Sequence, residues 1–153
     1  MASIRSFEEI EAWQKARVLA DRIYALSLKG SFYTDYKLRD QITGASGSIM
    51  DNIAEGFERN GNREFVQFLS IAKGSAGEVR SQLYRAFDRH HISPEIFQEL
   101  KEQVLLITKL ISGLITYLNQ STYKGTKYVR EPEEVYTTSN YKMLNLESTN
   151  LEP

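Results

Sequence analysis

Four long segments of this chain place apolar side chains at alternating spacings of three and four residues. This spacing follows the 3.6-residue turn of an α-helix, so the apolar side chains of each segment share one face. No stretch alternates at period two for long enough to predict a β-strand. The pattern therefore predicts an all-α fold in which four helices bury their apolar faces against one another. A chain of 153 residues, 41% of them hydrophobic, can form one domain with such a core.

Capping residues and helix breakers predict where the helices begin and end. The predicted helices run from about Phe7 to Leu28, Asp35 to Glu58, Arg63 to Arg89 and Pro94 to Asn119. The predicted N-caps are Ser6, Asp35, Asn62 and Ser93. Gly30 is predicted to end the first helix, and residues 31–34 to connect it to the second. Short connectors between long helices favour antiparallel neighbours, so residues 1–120 are predicted to form an up-down-up-down four-helix bundle.

Residues 121–153 differ from the rest of the chain, because the helical period stops and Ser, Thr, Asn, Tyr, Lys and Glu predominate. This polar C-terminal tail is predicted to be either disordered or an extended arm on a neighbouring subunit. The second alternative rests on its larger side chains, which are Tyr123, Tyr128, Val129, Val135, Tyr136 and Tyr141.

Composition and charge exclude several classes of protein. The absence of cysteine excludes disulfides, thiolate metal sites and a thiol nucleophile. No apolar run reaches the roughly 18–20 residues that span a bilayer, and the N-terminus lacks the apolar core of a signal peptide. We therefore expect a cytoplasmic protein without a membrane partner. Residues 1–120 carry 15 Lys or Arg and 15 Asp or Glu, whereas a nucleic-acid-binding domain is usually basic.

The residue types that carry catalysis or bind metals do not form recognisable motifs. His90 and His91 are adjacent, so on a helix they point about 100° apart, whereas a metal pair needs spacings of three or four. Their position near a helix C-terminus favours a structural role. Ser75 lies outside a Gly-x-Ser-x-Gly motif, and the glycine-containing segments lack the context of a phosphate-binding loop. We predict no catalytic or metal site, no cofactor and no small-molecule substrate.

A stripe of polar residues is the most unusual feature of the second predicted helix. Gln41, Ala45, Ser48, Asn52, Glu55 and Arg59 recur at spacings of four and three, and the third helix offers Gln67, Gly74, Ser75, Glu78 and Gln82. One interpretation is a solvated face with an ion pair between Glu55 and Arg59. The other is a buried polar network that fixes helix register or subunit choice. The small residues from Gly74 to Gly77 predict the close approach of another helix.

The stretch Asn52-Ile53-Ala54-Glu55-Gly56, with Gly74-Ser75 and the opening Ala12-Trp13-Gln14-Lys15-Ala16, resembles a known family. This family comprises the four-helix bundle proteins encoded by intervening sequences in bacterial 23S ribosomal RNA genes, also called S23 ribosomal proteins. The resemblance covers about residues 7–120. It implies a ring-shaped homopentamer with no established enzymatic activity, and a related branch binds reverse transcriptase and RNA. It also favours the buried interpretation, in which Glu55 is predicted to be essential for stability or assembly. The motif and interface residues would then be Gln41, Ser48, Asn52, Glu55, Gly56, Gly74, Ser75 and Glu78.

Two functional hypotheses remain. In the first, the oligomer binds RNA or a ribonucleoprotein through basic residues around the motif, namely Arg39, Arg59, Arg63, Lys73 and Arg80. Many family members have two arginines where this chain has Thr43 and Gly44, and this departure weighs against RNA. In the second, the protein is an interaction module or structural scaffold that binds no nucleic acid.

Overall fold

The computed structural model describes residues 3–120, and all of its elements are helices. They are a 3-10 turn at Phe7–Glu9, α1 at Glu11–Ser27, α2 at Gly30–Thr34, α3 at Tyr36–Glu58, α4 at Asn62–Asp88 and α5 at Pro94–Gln120. The four long helices pack in the order α1, α3, α4, α5, and α5 returns to contact α1. This arrangement confirms the predicted four-helix bundle. The predictions for the tail of residues 121–153 lie outside the described residues.

The prediction of one continuous helix from Phe7 to Leu28 is wrong at its beginning. The chain forms the 3-10 turn, becomes extended at Ile10 and enters α1 only at Glu11. Ser6 makes no capping hydrogen bond with its side chain. The turn forms because Phe7 packs edge-on against Trp13, with 5.1 Å between ring centres, and Ile10 is buried. The apolar spacing continued through this turn, so the sequence pattern did not reveal it.

The segment after α1 is a short helix and not a plain connector. Helix α1 ends at Ser27, and Gly30, with a φ of +55°, begins α2 instead of ending α1. Phe32 anchors this single turn in the core, where it is 2% exposed. Five residues are too few to show a helical period, which explains why the sequence pattern did not predict α2.

Two of the other predicted N-caps are confirmed and one is wrong. The Asp35 carboxylate accepts a hydrogen bond from the Leu38 amide, and the Ser93 hydroxyl accepts one from the Ile96 amide. At α4 the N-cap is Gly61, whose φ of +102° favours glycine. Asn62 is instead the first residue of α4; it is buried, and its side-chain amide has no hydrogen-bond partner among the described residues.

The core runs along the axis of the bundle. Its fully buried side chains include Leu19 and Ile23 of α1, Ile42, Ile49 and Ile53 of α3, Phe65 and Leu69 of α4, and Ile107 and Ile111 of α5. The wide apolar surface of α5 is partly explained by the same core, because Leu110 is buried while Leu105, Leu106 and Ile115 are half-buried. Helix α5 therefore lies deep in the bundle along much of its length.

Gly56 of α3 lies close against another helix, whereas Gly74 and Gly77 of α4 do not. A Cβ atom at Gly56 would lie 2.6 Å from the Cβ of Phe68 and 3.1 Å from Cδ1 of Phe65. At Gly74 and Gly77 a Cβ would meet no atom within 4 Å. The prediction that Gly74 and Gly77 lie under another helix is therefore wrong within the chain. Both glycines lie on the exposed side of α4, whereas Gly56 faces α4 from the end of α3.

We predict that Gly56→Ala destabilises the bundle by about 1–3 kcal/mol, because the added methyl group forces α3 and α4 apart. Gly74→Ala is the matched control. It should be neutral or stabilising by up to about 1 kcal/mol, because alanine favours the helix and the position is open. Denaturant titration followed by circular dichroism measures both values. Equal stabilities of the two variants would contradict the close packing at Gly56.

Candidate functional site

The polar stripe lies along the outside of the contact between α3 and α4, here called the α3/α4 face. Ser48 lies opposite Ser75, and their hydroxyl oxygens are 3.0 Å apart. The Asn52 side-chain amide donates to the carbonyl of Ser48 at 2.8 Å and to its hydroxyl at 2.9 Å. Ser75 is 7% exposed, so this network is partly shielded from water. The structure therefore joins three of the predicted motif residues across two helices.

Gln41 extends the α3/α4 face toward the beginning of α3. Its side-chain oxygen accepts a hydrogen bond of 2.9 Å from Arg85 of α4, in an exposed position. Arg85 was not among the predicted residues, because it lies 44 positions from Gln41 and no local spacing connects the two. Glu78, which was predicted, is an exposed residue of α4. The face is therefore polar at its centre and charged toward its ends.

The prediction that Glu55 is buried is wrong within the single chain. Its carboxylate pairs with Arg59 at 2.8 Å, and the two side chains are 51% and 50% exposed. The hydrogen bond from Arg59 to Glu55 raises the pKa of Arg59 above its ordinary value. The guanidinium of Arg59 also lies 5.1 Å from the ring centre of Phe68. Gly56, the next residue, takes the buried place beside α4, so Glu55 points outward. An exposed pair of this kind contributes little to stability.

Four glycines in the middle of α3 and α4 are open. At Gly44, Gly47, Gly74 and Gly77 a Cβ atom would meet nothing within 4 Å. Each glycine weakens its helix by about 1 kcal/mol relative to alanine. Nothing in the described chain packs on them in compensation. Ile71, on α4, is also 52% exposed, which is high for an isoleucine. Gly44 and Gly74 border the polar stripe, whereas Gly77 lies about 160° around α4 from Ser75 and outside the α3/α4 face. The α3/α4 face therefore combines small residues, a polar network and an exposed apolar side chain.

The five predicted RNA-binding residues do not form one patch. Arg39 lies near the beginning of α3 and Arg59 just beyond its end, about 30 Å apart at the helical rise of 1.5 Å per residue. Arg63, Lys73 and Arg80 are exposed along α4. Arg59 is already paired with Glu55, and Arg39 with Asp40. The structure thus distributes these cations over the length of the bundle.

Arg39 has surroundings that the other four lack. Its guanidinium lies 5.0 Å from the ring centres of both Tyr33 and Tyr36, and it donates to the carbonyl oxygen of Tyr33. The two tyrosines are 46% and 61% exposed. Tyr33 belongs to the unpredicted helix α2, so the sequence pattern could not place it beside Arg39. Aromatic rings beside a cation are groups that stack unpaired nucleobases and contact phosphate in proteins that bind single-stranded nucleic acids.

A second polar cluster, which the sequence did not predict, lies at the end of the bundle where α3 begins. His91 Nε2 is 2.9 Å from Asp35 Oδ2, and His91 Nδ1 is 2.8 Å from the Ser31 hydroxyl. Arg89 donates to the same Asp35 oxygen at 2.8 Å. The ring of His91 stacks on Phe32 with 5.2 Å between ring centres. An ionised carboxylate can only accept hydrogen bonds, so His91 Nε2 carries a proton. In a neutral ring, Nδ1 then carries none and accepts a hydrogen bond from the Ser31 hydroxyl.

This cluster lowers the pKa of Asp35 from its ordinary value of 3.8 to about 2. The hydrogen bond from His91 has the largest effect. Partial loss of solvation works against it, while Arg89 and the Leu38 amide lower the pKa further. Folding therefore favours the ionised carboxylate. This contribution to stability is complete above about pH 4 and is lost as the pH falls toward 2.

Although the cluster contains serine, histidine and aspartate, its contacts are those of a structural clasp. Asp35 also caps α3 and pairs with Arg89, so its carboxylate has two partners besides the His91 imidazole. The ring of His91 is held against the buried Phe32. The contacts join α2 and the beginning of α3 to the segment between α4 and α5. They fix one end of the bundle.

Neither a metal cluster nor a transmembrane helix occurs within residues 3–120. No three His, Asp or Glu side chains of this range are arranged to hold a metal ion. No helix in the same range has both the length and the apolar character needed to cross a bilayer.

These features define a small antiparallel four-helix bundle with a polar, glycine-containing face. The family model described as 23S rRNA-intervening sequence protein matches residues 8–113, and the chain therefore belongs to this family. A solved structure from Bacteroides thetaiotaomicron, a protein with unknown function from the S23 ribosomal protein family, is similar with a TM-score of 0.60. At 24% identity it covers 68% of this chain and 97% of its own, and it supports the fold. No match was found among curated proteins.

We predict that Asp35→Asn lowers stability at neutral pH by about 1–2 kcal/mol, because the charge-assisted hydrogen bonds to His91 and Arg89 are weakened. Asparagine keeps the helix cap, so the loss reports on the clasp. The variant should also lose part of the decrease in stability between pH 4 and pH 2. Asp40→Asn is the control, because the Asp40 side chain is 73% exposed. Denaturant titrations across this pH range measure the free energy of unfolding of both variants. If this free energy changed with pH in the same way in both variants, the clasp would be refuted.

Proposed function

We propose that this protein is a non-enzymatic homo-oligomer whose subunits associate through the α3/α4 face, acting in the cytoplasm. The observation that carries the proposal is the set of four open glycines on adjacent helices, of which Gly44 and Gly74 border the α3/α4 face. Glycine in a helix is unfavourable unless a backbone approaches it closely, and no backbone of the same chain approaches these four. A second copy of the chain would supply the missing contact.

The other residues of the α3/α4 face support the same proposal. Ile71 is half-exposed and would leave water on association. The network of Asn52, Ser48 and Ser75 is connected but not fully enclosed, as expected for polar groups near an interface. Glu55 and Arg59 lie at the end of the α3/α4 face, where an ion pair can favour one orientation of the second copy. The resemblance to the family implies five copies, and a pentamer is therefore the expected assembly.

We predict that light scattering at micromolar concentration gives several times the chain mass of 17.6 kDa. The double variant Gly44→Leu/Gly74→Leu should reduce this mass, because two large side chains block the approach of a second helix. Gln98→Leu, an equally exposed change on α5, is the control and should leave the mass unchanged. A wild-type mass of 17.6 kDa would refute the assembly.

A second candidate function is RNA binding, and Arg39 is the observation that favours it. Of the five candidate cations, Arg39 is the one held between exposed tyrosines. Its bundle end also carries Lys37 and Arg89. Aromatic rings beside a cation can stack an unpaired base while the guanidinium contacts phosphate. A ring of subunits would bring several copies of this arrangement together, which raises the local positive field although each chain is nearly neutral.

We predict that Arg39→Gln weakens binding of a labelled, structured 23S rRNA fragment and reduces the salt slope of the affinity by about one unit per binding site. Arg80→Gln is the control, since Arg80 is exposed on α4 away from these tyrosines. Fluorescence anisotropy at several salt concentrations measures both variants. If the wild type binds and neither variant changes the binding, Arg39 is not the contact. If the wild type does not bind, the scaffold without nucleic acid is the correct function.

A further inference from the structure

Two of the four open glycines lie outside the α3/α4 face. Gly47 is three residues from Met50, which lines a groove together with residues of α1, so Gly47 lies on the side of α3 that borders α1. Gly77 is seven residues from Tyr84, on the side of α4 where Tyr84 contacts Phe97 of α5 with 4.9 Å between ring centres. A Cβ atom at either glycine would meet nothing within 4 Å. The contact proposed through the α3/α4 face therefore does not account for these two glycines.

Gly47 belongs to a row of residues on the outside of α3, here called the acidic stripe. The row consists of Gly47, Asp51, Ala54 and Glu58, at spacings of four, three and four residues. At these spacings the four residues stay within about 60° of one another around the helix. Asp51 and Glu58 are exposed, and residues 41–58 contain no Lys or Arg. The acidic stripe therefore presents two carboxylates with a small side chain between them.

Gly77 belongs to a row with the same spacing on α4, here called the basic stripe. The row consists of Lys73, Gly77, Arg80 and Tyr84, and all four residues are exposed. Lys73 and Arg80 are about 10 Å apart along the helix axis, and the open Gly77 lies between them. Glu78 is about 100° around the helix from Gly77 and lies outside the row. The basic stripe therefore presents two cations separated by a glycine, with an aromatic ring at one end.

The two stripes are complementary when the two helices pack antiparallel. Each carboxylate then faces a cation, because the charged residues of both stripes are seven residues apart. The small residues in the middle of the stripes let the two backbones approach closely. The tyrosine ring covers the open glycine at the end of the acidic stripe. In this register the facing residues are Gly47 and Tyr84, Asp51 and Arg80, Ala54 and Gly77, and Glu58 and Lys73.

The two stripes do not meet within one chain. Helices α3 and α4 of the same chain contact each other on the side where Ser48 lies opposite Ser75. The acidic stripe lies on the side of α3 toward α1, and the basic stripe lies on the side of α4 toward α5. None of the four charged side chains forms an ion pair within residues 3–120. A second copy of the chain carries the opposite charges in the order that they require.

We propose that the acidic stripe of one copy packs antiparallel against the basic stripe of the next copy. Helices α3 and α4 are antiparallel within a chain, so this contact leaves successive copies pointing in the same direction, as in a ring around an axis along the bundle. The α3/α4 face packed on itself closes at two copies, whereas a contact between two different surfaces adds a copy at each step until a ring closes. The stripes thus go beyond the contact already proposed and supply one that a ring requires.

Charge reversal tests the pairing of the stripes. Asp51→Lys/Glu58→Lys and Lys73→Glu/Arg80→Glu should each raise the protein concentration at which half of the chains are assembled at least about tenfold, because like charges then face each other. The four changes combined in one chain place opposite charges across the contact again and should restore the wild-type mass. Light scattering over a series of protein concentrations measures all of these variants.

Glu95→Lys/Glu102→Lys is the matched control, because it reverses two exposed carboxylates of the same spacing on α5. This control should assemble like the wild type. Arg80→Gln alone leaves one ion pair and the close helix contact in place, so it should change the assembly little. Circular dichroism should show the helical content of the wild type in every variant, since all of the changed side chains are exposed.

Two outcomes would overturn the contact between the stripes. One is that both two-charge variants assemble as the control does; the other is that the four-charge variant does not recover the wild-type mass. If the wild type assembles and charge reversal has no effect, the homo-oligomer stands and the stripes are rejected. The contact through the α3/α4 face fails separately, because Gly44→Leu/Gly74→Leu leaves all four charges in place.

Discussion

The packing of α3 against α4 at Gly56 is the constraint on which the rest of the structure depends. The absence of a side chain at Gly56 lets Phe65 and Phe68 lie directly on the α3 backbone. This contact fixes how far the two helices slide past each other. With that register, Ser48 faces Ser75 and Gln41 faces Arg85, as antiparallel pairing requires. The polar network of the α3/α4 face is therefore a consequence of close packing at the other end of the helices.

The opposite end of the bundle is held by a different interaction. Asp35 caps α3 while its carboxylate receives His91 and Arg89. One ionised group thus ties α2, α3 and the segment before α5 together. The hydrogen bonds of this clasp stabilise the ionised carboxylate and therefore lower the pKa of Asp35. Steric fit governs one end of the bundle and charge governs the other.

The bundle leaves two surfaces of different chemistry. The α3/α4 face is small and polar, which suits the close approach of a like helix. A groove between α1 and α3, lined by Trp13, Arg17, Asp21 and Tyr24 among others, is aromatic at its ends and charged at its centre. Since they lie on opposite sides of α3, both can be occupied at once.

The sequence by itself determined the fold class, the four long helices and most of their ends. Apolar spacing carries this information because every buried position must fall on one face. Ser93 and Asp35 were predicted as caps because capping is local chemistry, set within three residues. The family motif at residues 52–56 was also recognisable, since it is a contiguous stretch of α3.

Only the tertiary structure decided which of these residues are buried, which are exposed and which contact one another. It showed that Gly56 packs closely against α4, whereas Gly74 is open and Glu55 faces water. The spacing of residues along a helix does not show which residues of another helix each position contacts. The clasp joins Ser31 and Asp35 to His91, 60 and 56 residues away, and no local pattern encodes such a pairing. Helix α2 was missed because one turn has no period. Local periodicity specifies which face is buried, but the partner of each side chain depends on how separate helices meet.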